Sequence, residues 1–310
     1  MAQITAKDVA DLRAKTGLGM MDCKKALVEA EGDVEKAIKI LREKGLATAA
    51  KKESRIASEG LVDIMTKGDV TAMVEVNSET DFVAKNSTFK AFVSDILSTI
   101  IETKPANLEA LLEGKFNGTE QSVQEALVEK IALIGEKLSI RRFVIVEGTV
   151  ATYVHGMGST GVIVKVEADE AAKSNADFNE TVKNVALQIA AGSPPAYVAK
   201  EDVPANVIEE EKTVLINQAK NDPKNAGKPE QVLEKMVMGR LGKFYSANCL
   251  LEQEYVKDDS LTVGKYVQQA AKAFGGSIKI VSFVIFEKGE GIEKREEDFA
   301  AEIAKMVNKD

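Results

Sequence analysis

The chain writes one pattern twice. After Glu59-Gly60 comes an apolar run, Leu61 to Met65, then a polar tip, Lys67-Gly68-Asp69. Val70, Ala72, Val74 and Val76 then alternate with Thr71, Met73 and Glu75. A period of two marks a strand with one buried face, so the pair reads as a hairpin. Glu147-Gly148 starts the pattern again, with a strand from Thr149 to Val154 and a loop from His155 to Thr160. Val162, Val164 and Val166 follow in the register of residues 72, 74 and 76. An amphipathic helix follows each hairpin, with Phe89, Phe92, Val93, Ile96 and Ile100 on one stripe and Phe178, Val182, Val185 and Ile189 on the other. More helix is expected between Gln121 and Leu138. The strand Ile140 to Val146 closes the first unit, and Ile280 to Glu287 echoes it. A duplication this long admits few folds. It predicts an α+β class with two related units, each a small antiparallel sheet covered by helices.

The remaining segments fall around this core. Residues 1–55 read as a three-helix module. Thr5 or Lys7 opens its first helix, which carries Val9 and Leu12 and stops at Gly17; residues 18–22 form a loop. The second helix runs from Cys23 to Gly32, and Asp33 caps a third that stops at Gly45. Residues 44–55 read as a solvated linker, helical or flexible. Core repeat 1 occupies 56–148, and repeat 2 occupies 149–192 and 231–287. Between the two parts of repeat 2, residues 193–230 carry Ser193-Pro194-Pro195, Asp222-Pro223 and Lys228-Pro229. These punctuate an acidic helix over 204–220 and a second helix from about Pro229, an antiparallel hairpin. Its tip is either a contact for a partner or second copy, or a flap with structural duty alone. Residues 288–310 form a terminal helical module with Phe299, Ile303 and Met306 in line.

Several function classes are disfavoured. The formal charge is −8, with 41 basic and 49 acidic residues and no basic block. Such a chain has no strong electrostatic reason to seek nucleic acid directly, and it suits partners with neutral or basic surfaces. No apolar run has the length of a membrane span. Cys23 and Cys249 lie far apart and away from any His, against a zinc site or disulfide framework. The N-terminus lacks a signal core or Arg-rich transit pattern, so a reducing cytoplasm is the expected setting. His155 is the sole histidine, and no nucleophile signature accompanies it. The glycines of residues 155–161 lack a Gly-Lys-Ser/Thr ending and join two strands, so no helix terminus faces a phosphate. No enzyme activity, cofactor or metal is expected.

One segment is different. Asn77 to Asn86 follows a buried strand, with Thr80 as a helix cap and Asp81 as a first-turn acid. Phe82 and Val83 point about 100° apart on a helix, so one packs on the sheet and the other faces out. The matching stretch of the second repeat, Glu170-Ala171-Ala172-Lys173, has no aromatic. The adjacent Met20-Met21 reads either as two core fillers or as an adaptable contact surface.

Thr80-Asp81-Phe82-Val83-Ala84-Lys85-Asn86 resembles a signature of the elongation factor Ts family, as does Thr16 to Leu27. His155-Gly156 and Gly289 to Lys294 agree, and the likeness spans essentially the whole chain. The resemblance implies an N-terminal module similar to ubiquitin-associated domains. It implies binding to elongation factor Tu, GDP-bound and nucleotide-free, and promotion of GDP release so that GTP can rebind. Asp81 and Phe82 would disturb the partner's Mg²⁺ site, with Thr80 and Val83 holding their geometry. Arg13, Met20 and Met21 would touch the partner's GTPase domain, Ile134 and Gly135 would lie at a further contact, and His155 would reach another domain. The family likeness also implies a homodimer or heterotetramer through the helical hairpin, and the missing transit pattern favours a bacterial cytoplasmic form over an organellar one. The competing expectation is a ubiquitin-associated-like interaction or chaperone module without exchange activity.

Overall fold

The computed structural model describes residues 4–225 and 228–293. Three helices come first: α1 (Ala6–Thr16), α2 (Met20–Glu29) and α3 (Val34–Lys52). Thr5 and Asp8 form a capping box on α1, and Gly17 closes it in the left-handed region. Val9, Leu12, Cys23, Ala26, Leu27, Ala37 and Leu41 make the module's own core.

Two expectations change here. Met20, Met21 and Asp22 form the first turn of α2 rather than a loop. Gly45 does not end α3, which runs on to Lys52. The cause is tertiary. Gly45 faces a core helix, where an added Cβ would lie 3.5 Å from Val128 and 3.7 Å from Ala132. That packing offsets the cost of a mid-helix glycine, about 1 kcal/mol. Of the solvated linker, helical or flexible, expected here, the helical form holds to Lys52, but the helix is docked, with an Arg42–Glu125 ion pair at 3.2 Å beside it.

The first core unit is β1 (Glu59–Lys67), β2 (Val70–Ser78), α4 (Asp81–Lys85), α5 (Ser87–Thr103), α6 (Leu108–Glu113), α7 (Val123–Ile134) and β3 (Leu138–Glu147). The second is β4 (Val150–His155), β5 (Thr160–Ala168), α8 (Glu170–Lys173) and α9 (Phe178–Ala191), completed late in the chain. Before completion come α10 (Ala205–Asn221) and α11 (Glu230–Asn248), packed on each other through Leu215, Val237 and Leu241. α11 continues unbroken past residue 230 to Asn248. The small hairpin β6 (Glu254–Tyr255) and β7 (Asp258–Thr262), α12 (Val263–Ala273) and β8 (Ile278–Glu287) finish the fold. The terminal helix expected around Phe299, Ile303 and Met306 lies outside the described residues.

The repeat is exact in topology. The sheets are ordered β1-β2-β3 and β4-β5-β8, all antiparallel. Val74 pairs with Phe143 and Val76 with Ile140; Val164 pairs with Phe283 and Val166 with Ile280. Both central strands shift register at the same place, between Glu75 and Val76 and between Lys165 and Val166. The α+β class stands.

The alternation of β2 led us to expect one buried face, yet both faces are buried. Ala72, Val74 and Val76 meet α5 and α7, as their counterparts Val162, Val164 and Val166 meet α9 and α12. Met73 and Val62 face the other way, onto Ile163 and Phe286. The two sheets pack back to back, with helices on the outside. The turn after His155 adds to this seam, where the Val62 N–H donates to the Gly158 carbonyl at 2.8 Å.

Candidate functional site

Phe82 stands out from this fold. It is 80% exposed, while its neighbour Val83 is 8% exposed and belongs to the first core. The side that faces out is therefore the phenyl ring. Aligning α8 with α4 places Ala171, exposed, opposite Phe82, and Ala172, buried, opposite Val83. The sheet needs only the second of these positions, so packing does not account for the aromatic.

A five-residue helix is too short to hold itself. Asn86 ends α4 and caps α5, its side chain accepting from the Thr88 N–H at 2.8 Å. Asp81 accepts from Lys85 at 2.6 Å, one turn on. That hydrogen bond, helped by the charges of Lys85 and Lys288, holds the Asp81 carboxyl below the usual range. Asp81 is thus an anion throughout the neutral range, beside an exposed ring.

Thr80 occupies the cap position, as expected, but its side chain makes no cap bond. Its hydroxyl donates instead to Glu136 Oε1 at 2.7 Å, and its N–H to Glu136 Oε2 at 3.0 Å. The neighbouring Glu79 accepts from the Lys137 N–H at 2.6 Å and from Arg55 at 3.2 Å. Thr80 is therefore tied to the turn that follows Ile134, the last residue of α7, and Gly135. Gly135 ends α7 at φ 84°, a conformation that favours glycine, and its carbonyl accepts from the Lys52 ammonium at the end of α3.

The N-terminal contacts expected at Arg13, Met20 and Met21 lie on the next surface along. Arg13 is exposed in the last turn of α1. Met20 and Met21 are 44% and 60% exposed, so neither fills the core. A Cβ on Gly17 would lie 4.0 Å from Leu133, so the α1–α2 connection abuts the last turn of α7. His155 is separate: it ends β4, exposed, with its Nδ1 3.2 Å from the Tyr153 hydroxyl. An indirect link exists, since the Lys288 N–H donates to the Ser159 carbonyl and Lys288 pairs with Glu59 beside the first sheet.

A family model described as elongation factor TS matches residues 79–290, beginning at the braced turn itself. The chain belongs to the elongation factor Ts family. Elongation factor Ts of Clostridioides difficile is 50% identical over 99% of this chain and 100% of its own. Those of Clostridium kluyveri and Syntrophotalea carbinolica are 48% and 45% identical over 98% of this chain and 99% of theirs. Membership in the elongation factor Ts family carries a role in translation elongation.

The elongation factor Ts signatures do not point to Glu75, which sequence reasoning missed. It is 0% exposed in the seam between the sheets. Its carboxylate accepts from Arg141 at 3.0 Å, Arg142 at 2.6 Å, Asn77 at 3.1 Å and the Gly289 N–H at 2.8 Å. Burial pushes its carboxyl up, but these four donors outweigh burial and hold it below the usual value. Arg142 also donates to the Glu287 carbonyl and pairs with Glu290, stacking 4.3 Å over Phe286. One acid thus ties the first sheet to the strand that completes the second. The available signal was an acid within a strand whose partner strand carries Arg141-Arg142.

Among the described residues, no three His, Cys, Asp or Glu side chains gather to hold a metal ion, and no helix is long and apolar enough to cross a membrane. Cys23 and Cys249 are free and buried, and burial pushes the Cys249 thiol up to about 11.

Proposed function

We propose that this chain binds elongation factor Tu carrying GDP and speeds GDP release, leaving a nucleotide-free complex that GTP resolves. The observation that carries the reading is Phe82, an exposed ring on a short helix braced by its neighbours. GTPases hold their nucleotide through phosphate-loop amides, a lysine and Mg²⁺. A rigid ring with an adjacent anion is suited to displacing such an arrangement, because little ordering entropy is lost when it docks. Asp81 and Phe82 act on the Mg²⁺ site, with Val83 anchored in the core. Arg13, Met20, Met21, Ile134 and Gly135 form the flanking contact, and His155 meets a second domain of the partner. The chain contributes contacts alone, so it acts without cofactor or metal of its own. The α10–α11 pair, with exposed Val214, Val232 and Met238, is the surface for a second copy. The competing ubiquitin-associated-like reading leaves the duplicated core and the exposed ring without a task.

Release of labelled GDP from elongation factor Tu tests the proposal. Catalytic amounts of this protein, with excess unlabelled nucleotide, are expected to accelerate release by orders of magnitude. A rate equal to spontaneous release sinks it.

A further inference from the structure

We propose that Glu136 is a positioning residue that sets the orientation of Phe82 and Asp81, an inference that rests on the reading of that turn as the acting element. Two turns from distant parts of the chain exchange carboxylates. Glu79 accepts from the backbone N–H of Lys137, and Glu136 accepts from both the N–H and the hydroxyl of Thr80. The second interaction takes two donors from one residue into one carboxylate, which fixes direction as well as distance. Thr80 is the residue from which α4 departs, so its orientation sets that of the ring two residues on.

The second repeat serves as a control within the same molecule. Its β5–α8 turn is one residue shorter, so that Asp169 alone stands for both Glu79 and Thr80, and Asp169 accepts from the Ser277 N–H at 2.8 Å. Ser277 corresponds to Lys137, since Ile278 and Leu138 pair with equivalent residues. Both repeats also place a left-handed glycine at the same point, Gly135 and Gly275. That half of the clasp therefore belongs to the fold. The other half does not recur, because Gly276 stands where Glu136 stands. A Cβ there would come within 2.3 Å of Asp169 and 2.7 Å of the Ala172 nitrogen, so this turn has no room for a side chain. The repeat without the carboxylate is also the repeat without the aromatic. In the second repeat Asp169 also caps α8 through the Ala172 N–H, so one carboxylate fixes that helix; in the first, Thr80 makes no cap bond and is held instead by its two hydrogen bonds to Glu136, in the repeat that carries the exposed ring.

Two measurements on the full-length protein test this. In the free protein, Glu136→Ala is expected to speed amide hydrogen exchange at residues 84–86, the amides that close α4, about tenfold, the loss of hydrogen bonds to a charged acceptor, with Glu136→Gln intermediate. Unchanged exchange there overturns the clasp, whatever the protein's activity. In GDP release from elongation factor Tu, Glu136→Ala is expected to lower the maximal rate, and Phe82→Ala with Glu136→Ala to be no slower than Phe82→Ala alone. Multiplying defects overturn the proposal, because Glu136 would then act other than through Phe82. If Phe82→Ala matches the wild type, it is the exchange reading that fails, and the hydrogen-exchange result still decides the clasp.

Discussion

Phe82→Ala is expected to slow stimulated GDP release by on the order of tenfold or more, the loss typical of an aromatic anchor at an interface. Its fold should be untouched. At 80% exposure the ring contributes little to packing, so the stability change should stay within about 0.5 kcal/mol. Val83→Ala provides the contrast, because Val83 lies in the first core and its truncation leaves a small cavity. That variant should lose about 1–2 kcal/mol of stability. Stopped-flow release with a fluorescent GDP, beside thermal unfolding of each variant, separates the two. A Phe82 variant with full activity and a lowered melting point would make the ring structural.

Glu75→Ala is expected to have the larger effect on stability. It takes from Arg141 and Arg142 their buried carboxylate, leaving them only their bonds to Glu287 and Glu290, and it removes one acceptor of the Asn77 amide and the acceptor of the Gly289 N–H. Breaking a buried pair from one side costs about 3–5 kcal/mol. Arg141 and Arg142 retain partial access to water, so we expect about 2–4 kcal/mol, read from the shift in the denaturation midpoint. The pH dependence has a definite sign. Its four donors hold the Glu75 carboxyl below the ordinary glutamate value in the folded protein. Its contribution is therefore fully present above that ordinary value and fades as the pH falls through the lower folded value. Glu75→Gln should flatten this acid-side loss while destabilising less than the alanine variant at neutral pH. A wild-type acid limb unchanged in the Gln variant would remove Glu75 from the account.

Much of this fold is legible in the sequence because its strands are periodic. The alternation of residues 72, 74 and 76 and its return at 162, 164 and 166 predict two matching antiparallel sheets. The back-to-back packing did not show, because Met73 and Glu75 read equally well as a solvated face until a second sheet covers them. Gly45 misled for a related reason. Local propensity ends a helix there, and only contact with Val128 and Ala132 carries the helix through. At the site, the spacing showed that Phe82 and Val83 diverge but left open which faces out; burial by the sheet decides it. Thr80 stands at the cap position its residue type favours, yet it makes no cap bond and its hydroxyl serves Glu136, 56 residues away, a pairing that no local pattern encodes.

The central claim is that this chain and GDP compete energetically for elongation factor Tu through the Phe82 turn. Coupling of this kind is reciprocal: if this protein weakens GDP binding, GDP must weaken this protein's binding by the same factor. The direct measurement is calorimetric affinity for elongation factor Tu, nucleotide-free and GDP-saturated, for the wild type and Phe82→Ala. The wild type should bind the nucleotide-free form far more tightly, and Phe82→Ala should shrink that ratio by about tenfold or more. Equal affinity for the two forms, or a ratio untouched by Phe82→Ala, would contradict the account.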